Sequence, residues 1–170
     1  MLRRLLPIMI AVAALFGACN SNECYENHSA LPLADFFSMQ DGKAVSVQRL
    51  AIYGVGAPGD SILYYDQNLQ QAYLPFRLDS DTTRFVLKYM GPADPDVEMT
   101  DQWDYLPCDT VTFIYTRKPW FVSAGCGAMY FFDMKDVRHT NVAIDSIATN
   151  SVITNENSAN IKIYFNTSEE

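Results

Sequence analysis

Apolar and polar residues alternate with a period of two along much of the chain after Cys19, and this pattern constrains the fold more than any other feature. The clearest run is Asp109 to Arg117, in which Val111, Phe113 and Tyr115 alternate with three threonines and one isoleucine. A period of two places successive side chains on opposite faces of a β-strand, and β-branched and aromatic residues favour that conformation. We therefore predict that this run is a central strand of a sheet.

Short runs of this kind recur along the chain, about eight in all, with turn-forming residues between them, as in a β-sandwich. After Cys19 we find no convincing 3.6-residue period. We predict an all-β fold, an antiparallel β-sandwich, with a closed barrel as the alternative. Lys118-Pro119 is predicted to end the strongest strand, and the adjacent aromatics 130–132 are predicted to be buried on both faces. The last unit is predicted to be a hairpin, with Val142 to Ile153 on one strand, a turn at residues 155–158 and Ile161 to Phe165 on the other strand.

Two local features interrupt the strands in the first half of the chain. The apolar phase of the run Val45 to Tyr53 switches near Gln48-Arg49, which predicts a bulge or bend. Residues Gly54 to Gly59 then match the letters of the dinucleotide-binding motif G-x-G-x-x-G. That motif needs a following helix to bring its N–H groups to the pyrophosphate, whereas the strand-like run Asp60 to Tyr65 follows here. We therefore predict a connection between two strands.

Residues 1–18 have the anatomy of a secretory signal peptide, with Arg3 and Arg4 before an apolar run from Leu5 to Phe16. The apolar run is shorter than the roughly 20 residues that span a bilayer. The ending Leu15-Phe16-Gly17-Ala18-Cys19 resembles a bacterial lipobox, in which the cysteine thiol is lipidated and becomes the new N-terminus. We predict a signal peptide at 1–18, a lipidated tether at 19–29 and one β-sandwich domain at 30–170. Ordinary signal-peptide cleavage and an uncleaved anchor are the alternatives.

The chain is acidic, with 12 basic and 20 acidic residues. Without Arg3 and Arg4 there are 10 basic residues, which gives the mature chain a net charge of −10. Such a surface repels nucleic acid and anionic lipid headgroups, because phosphate contacts need Lys and Arg to replace counterions. Nucleic acid is therefore excluded as a partner.

The residues that catalysis or zinc binding would need are sparse. A serine or cysteine hydrolase needs an imidazole base beside its nucleophile, and the only histidines are His28, in the tether, and His139, in a polar link. Neither has a partner at zinc-ligand spacing, and no C-x₂-C pair is present. A pair of catalytic carboxylates stays open, because sequence does not show how far apart they lie. We predict a non-enzymatic protein without a cofactor or a metal site.

Two tryptophans mark possible binding surfaces. Trp103 lies in the long non-periodic segment Gly91 to Pro107, whose acids are expected to be solvated rather than to bind Ca²⁺. Trp120 follows the strongest strand. Exposed aromatics anchor protein partners and offer stacking platforms to sugars, whereas core packing is the structural alternative. We predict Trp103 and Trp120 as possible binding residues.

Most of the mature chain resembles a known family. The resemblance rests on four runs of residues, SALPLADFFSMQDGKAVSVQRLAIYGVGAPGDSIL, YLPF, DTVTFIYTRKPWFVSAGCGAMYFF and IDSIATNSVITNENSANIKIYF. They are similar to an uncharacterised family of Bacteroidetes lipoproteins with a domain of unknown function. The resemblance implies an immunoglobulin-like β-sandwich on the cell envelope, and it implies no activity.

The same resemblance bears on the cysteines. Spacing alone does not choose among the bridges that Cys24, Cys108 and Cys126 allow. Members of the family carry one cysteine shortly before the first strand and another in an S-x-x-C-G bend, which implies a Cys24–Cys126 disulfide with Cys108 free. A Cys108–Cys126 disulfide is the alternative.

These features predict a non-enzymatic lipoprotein of the cell envelope, anchored in a membrane through lipid on Cys19, whose β-sandwich serves binding or assembly. The expected partner is an envelope protein or a glycan. Surface-exposed lipoproteins of that phylum tend to carry an acidic run after the lipidated cysteine, whereas residues 20–23 contain one acid. An outer-membrane anchor that faces the periplasm is therefore favoured. The alternative is a carbohydrate-binding module or a glycan-processing enzyme on the envelope.

Overall fold

The structure is a computed structural model that describes residues 31–57, 61–91, 103–123, 127–154 and 158–166, with side chains except at 122, 123, 127 and 128. Ten strands make up most of this part of the chain. They are β1 (Leu33–Ser38), β2 (Val47–Gly54), β3 (Ile62–Leu69), β4 (Gln71–Tyr73), β5 (Thr82–Tyr89), β6 (Cys108–Ser123), β7 (Gly127–His139), β8 (Ile144–Thr149), β9 (Val152–Ile153) and β10 (Ala159–Phe165). A short 3₁₀ helix, Trp103–Tyr105, precedes β6.

The strands form two sheets that pack face to face. The four-stranded sheet has the order β4-β1-β10-β8, and the six-stranded sheet has the order β3-β2-β5-β6-β7-β9. Neighbouring strands are antiparallel except β1 and β10, which are parallel. Buried apolar side chains of both sheets meet in one core. The predicted all-β sandwich is confirmed.

An aromatic cluster fills one part of this core. The ring of Phe76 lies 4.9 Å from Phe113, 4.8 Å from Tyr115 and 5.2 Å from Phe132 between centroids. The Tyr115 hydroxyl is buried with the rings, and it donates a hydrogen bond of 2.8 Å to the carbonyl oxygen of Arg77. The cluster therefore joins the segment that follows β4 to strands β6 and β7.

The bend predicted in β2 is confirmed. Arg49 has a positive φ of 48°, and the pairing of β2 with β3 shifts register between Val47 and Leu50. The Arg49 guanidinium donates two hydrogen bonds of 2.8 Å to the carboxylate of Asp66 across the two strands. The connection predicted after β2 is also confirmed, because β2 ends at Gly54 and the next element is the antiparallel strand β3.

The prediction that Lys118-Pro119 ends the strongest strand is wrong. β6 continues to Ser123, and Pro119 pairs with Tyr130 of β7. The neighbouring strand β5 pairs with β6 as far as Ile114, so at Pro119 there is no β5 partner for the missing N–H group. β6 and β7 therefore form one long hairpin that projects past β5.

The last unit is a hairpin only in part. β8 and β10 pair antiparallel, as predicted. Val152 and Ile153, predicted on the same arm as β8, instead form β9 and pair with Asp133 and Phe132 of β7 in the other sheet. A period of two shows that a strand has an apolar face, but it does not show which of two sheets supplies the partner.

The sandwich has two different ends. At one end of the sandwich β1 begins with Leu33, which pairs with Ala159 and Tyr73. β9 runs towards the same end, since Ile153 pairs with Phe132 close to where the β6–β7 hairpin projects. We call this the arm end, after the projecting part of the β6–β7 hairpin. The opposite end, where β6 begins and β7 finishes, is called the clamp end, after the buried carboxylate of Asp109 that connects the two sheets there.

We expect Phe76→Ala to lower the free energy of unfolding by about 3–5 kcal/mol, because it leaves a cavity among three rings. Urea unfolding followed by circular dichroism measures the change. Tyr105→Ala is the matched control: its side chain is 88% exposed, and its effect should stay within about 0.5 kcal/mol. Equal effects of the two substitutions would contradict the assignment of this cluster to the core.

Candidate functional site

The part of the β6–β7 hairpin that projects beyond its neighbours carries exposed aromatic residues. We call this part, residues 117–123 and 127–131, the aromatic arm. Trp120 is 55% exposed and Phe121 is 67% exposed. The prediction of burial on both faces holds for Phe132, which is buried, but fails for Tyr130, which is exposed. It fails because Tyr130 lies on the part of the hairpin that extends past the ends of β5 and β9.

The two faces of the arm each present aromatic surface. Trp120 pairs with Met129 on one face, and its ring stacks on Phe131 at 5.5 Å with an interplanar angle of 20°. Phe121 and Tyr130 belong to the other face, because side chains alternate along each strand. Exposed apolar surface on both faces of a hairpin is unusual for a folded domain, which makes the arm a candidate interaction surface.

Charged residues begin where the arm meets the sandwich. Lys118 forms an ion pair with Asp133 of β7, and the guanidinium of Arg117 lies 3.1 Å from a carboxylate oxygen of Asp81. Lys135 lies 3.9 Å from Asp133. From Pro119 to Phe132 the sequence contains no charged residue, so the arm is neutral beyond Arg117 and Lys118 at its base, in a strongly acidic chain.

The structure does not bring the two predicted tryptophans together. Trp103 covers the outer face of the six-stranded sheet near the clamp end, where its ring stacks on Tyr65 at 5.9 Å and lies 6.1 Å from Tyr53. The ammonium group of Lys88 lies 4.5 Å from the centre of the Trp103 ring and donates a hydrogen bond to the Trp103 carbonyl oxygen. Lys88 is only 4% exposed as a result. Trp103 thus packs as a structural cover, and Trp120 is the more accessible candidate.

A buried carboxylate, Asp109, organises the clamp end. The residue is 0% exposed, and both carboxylate oxygens accept hydrogen bonds from protein donors. The donors are the hydroxyls of Thr140 (2.7 Å) and Tyr89 (2.8 Å) and the backbone N–H groups of Val142 (2.8 Å), Ala143 (2.8 Å) and Ile144 (3.0 Å).

Two opposing effects set the pKa of Asp109. Burial by itself raises the pKa of this carboxyl group, but the hydrogen bonds from Ala143, Val142, Thr140 and Ile144 outweigh burial and the pKa is lowered. Burial and the adjacent carboxylate raise the pKa of Tyr89, so its hydroxyl stays protonated as a donor. All five contacts satisfy the charge, which makes Asp109 a structural clamp between the two sheets.

A cavity of about 390 Å³ opens at the arm end beside the glycine-containing connection. Its apolar lining includes Leu63, Phe76 and Phe85, and its polar lining includes Arg77 and Asp79. Arg77 donates two hydrogen bonds to Asp79 and lowers the pKa of Asp79 to about 2. These two charged groups neutralise each other, and the described lining residues include no histidine or cysteine that could serve as a base or nucleophile.

Several predicted positions lie outside the described residues. Cys19, Cys24, His28 and Cys126 are among them, so the Cys24–Cys126 disulfide stays a prediction. Most of the acidic segment 91–107 is also outside. Cys108 is described, and it is a free thiol.

Within the described ranges, no group of three or more acidic, histidine or cysteine side chains could hold a metal ion. The Nδ1 atom of His139 lies 2.9 Å from the carbonyl oxygen of Thr140 at the end of β7. A search of the same ranges finds no helix with the length and hydropathy of a membrane span.

Sequence reasoning missed the two buried charges. For Asp109 the sequence did indicate burial, because this residue has the same alternation phase as Val111 and Phe113, which face the core. An acid in a core phase is rarely buried unless it has donors. For Lys88 no such sign existed: it lies on the outward face of β5, and the chain segment that covers it is distant in sequence.

Fold and site define this molecule as a two-sheet β-sandwich with a projecting aromatic arm and a polar clamp at the other end. The chain belongs to a family described as Family of unknown function (DUF6452), whose model matches residues 49–165. No curated protein and no solved structure matches the chain.

Asp109→Asn should lower the free energy of unfolding by about 3 kcal/mol, because an amide NH₂ group then faces backbone N–H donors in a buried site. Chemical denaturation measures the change. Asp79→Asn removes an exposed ion pair and is the control, with an expected loss of less than about 1 kcal/mol. A loss at Asp109 no larger than at Asp79 would contradict the clamp.

The contribution of Asp109 should also depend on pH. Its pKa is lower in the folded chain than the value of about 3.9 expected when unfolded, so its stabilisation is fully present above that value. It is lost as pH falls through the folded pKa. The difference in unfolding free energy between wild type and Asp109→Asn should be constant above about pH 5 and shrink below about pH 4. A difference that does not change down to about pH 2 would show that Asp109 is not the titrating group.

Proposed function

We propose that this protein is a non-enzymatic lipoprotein of the cell envelope whose β-sandwich binds an envelope component or helps to assemble one. Lipid on Cys19 holds it at the outer membrane, with the domain on the periplasmic side. The signal-peptide anatomy of residues 1–18 and the lipobox-like ending at Cys19 support the anchor. The resemblance to envelope lipoproteins supports the location.

The aromatic arm is the observation that carries the binding role. Trp120, Phe121 and Tyr130 are all exposed on the part of the hairpin that extends past its neighbouring strands. Tryptophan and tyrosine dominate the energetics of interaction surfaces. Covering this surface with a partner removes apolar area from water, which is favourable by about 25 cal/mol for each Å².

A carbohydrate-binding module is the second candidate, and the stack of Trp120 on Phe131 favours it. A flat, exposed indole ring offers a platform on which the apolar face of a sugar ring can pack. In the described cavity at the arm end, a glycan-processing enzyme would find Arg77 and Asp79 already paired with each other. The binding module is therefore preferred to the enzyme.

A photo-crosslinking amino acid at position 121 tests the binding role in the full chain in native membranes. We expect a discrete adduct there, and a much weaker one from position 142, whose valine is also exposed but lies near the clamp end. Trp120→Ser should reduce the adduct at position 121 about thirtyfold, since loss of an aromatic anchor costs about 2 kcal/mol. Mass spectrometry identifies what is attached.

Equal labelling from positions 121 and 142 would refute the role of the arm. The anchor is tested separately with a clickable fatty acid. The wild-type chain should incorporate the label and sediment with membranes, whereas Cys19→Ala should lose the label and the membrane association. A Cys19→Ala chain that keeps both would refute lipid anchoring.

A further inference from the structure

We infer that the partner of the aromatic arm is the lipid bilayer itself, so that the arm is a second membrane contact beside the lipid on Cys19. The inference rests on the proposed function, because it names the component that the arm binds. It gives the arm the task of orienting the sandwich on the membrane.

The chemistry of the arm fits the interfacial zone of a bilayer. The stretch Pro119 to Phe132 is free of charge, and its exposed aromatics include Trp120 and Tyr130. Tryptophan and tyrosine concentrate at the membrane–water interface, where an apolar ring meets lipid and a polar edge stays hydrated. The acidic surface of the domain does not oppose this contact, because the exposed aromatics belong to a neutral stretch that projects past the neighbouring strands.

The distribution of the aromatics favours a bilayer over a protein groove. Trp120 lies on one face of the hairpin, and Phe121 and Tyr130 lie on the other. A protein groove that binds a hairpin through one face would leave the other face exposed, whereas lipid can contact both faces of the arm. Contact with lipid therefore covers the exposed apolar surface of both faces at once.

The charged residues at the base of the arm limit how deeply the arm enters the bilayer. Lys118 is the last charged residue of β6, and its ion-pair partner Asp133 is the first charged residue of β7. From residue 118 to residue 123 the hairpin advances about 17 Å, at 3.3–3.4 Å per residue. The headgroup zone is about 5–7 Å thick on each side of a core about 30 Å thick. A tilted arm can thus place its aromatics at the interface while the charged base stays in water.

The start of the domain lies at the same end of the sandwich as the arm. β1 begins at Leu33, which pairs with Ala159, where β10 begins. β10 follows β9, and β9 runs towards the arm because Ile153 pairs with Phe132. A lipid attached before β1 therefore draws the arm end, and not the clamp end, towards the membrane.

The tether has a suitable length for this geometry. Residues 19–30 precede the described chain, and twelve residues span at most about 40 Å when extended. This reach exceeds the roughly 17 Å that the hairpin advances from residue 118 to residue 123. Because the lipid holds the domain near the surface, the arm binds at high effective concentration and needs little affinity of its own.

The protein has two tryptophans, one on the arm and one near the clamp end, and this permits a direct test. The lipidated full chain is reconstituted into phosphatidylcholine vesicles whose acyl chains carry bromine, a short-range quencher of indole fluorescence. Trp103→Phe leaves Trp120 as the sole reporter, and Trp120→Phe leaves Trp103 as the matched control. Because an interfacial indole lies next to the acyl chains, we expect bromine to quench Trp120 at least about three times more than Trp103.

A second variant guards against misfolding of the reporters. Phe121→Ser in the Trp103→Phe background should reduce the quenching of Trp120 at least about twofold by lifting the arm from the interface. Val142→Ser, near the clamp end, should leave it unchanged. Circular dichroism confirms that each variant is folded before it is compared.

Each outcome decides the question. Equal quenching of Trp120 and Trp103 overturns the membrane contact. If position 121 then crosslinks to a protein or a glycan, the proposed binding function stands and only its partner was wrong. If position 121 also labels no better than position 142, both the partner and the proposed function fail.

Discussion

The joining of the two sheets depends on the hydrogen bonds that the carboxylate of Asp109 accepts. Asp109 belongs to β6 of the six-stranded sheet, and it accepts hydrogen bonds from the N–H groups of Ala143 and Ile144, which lead into β8 of the other sheet. A buried charge is tolerated when protein donors replace the water that it has lost. The chain crosses between sheets at this point, so the donors fix where the crossover occurs.

This clamp makes the two ends of the sandwich chemically different. At the clamp end, polar groups are satisfied internally, and Trp103 covers the outer face of the sheet above Lys88. At the arm end, the long hairpin leaves Trp120 and Phe121 exposed. The clamp end is therefore held by buried polar contacts, whereas the arm end presents the exposed aromatic side chains of a projecting hairpin.

The alternation of side chains predicted much of this fold. The strong strand around Phe113, the bend near Arg49 and the strand connection after Gly54 are all present, because each depends on local residue order. The errors have a different origin. Whether Pro119 ends a strand depends on a neighbour that stops elsewhere, and the sheet that Ile153 joins depends on a partner that is distant in sequence.

By itself, the sequence determined the class of fold, the neutral stretch from Pro119 to Phe132 and the two tryptophans as candidates, since periodicity, charge and residue type are local properties. The tertiary structure decided which tryptophan is accessible, that Asp109 is fully buried and bonded, and that the start of β1 lies at the same end as the arm. These facts follow from strand pairing and layer packing between distant segments, which a local pattern does not encode.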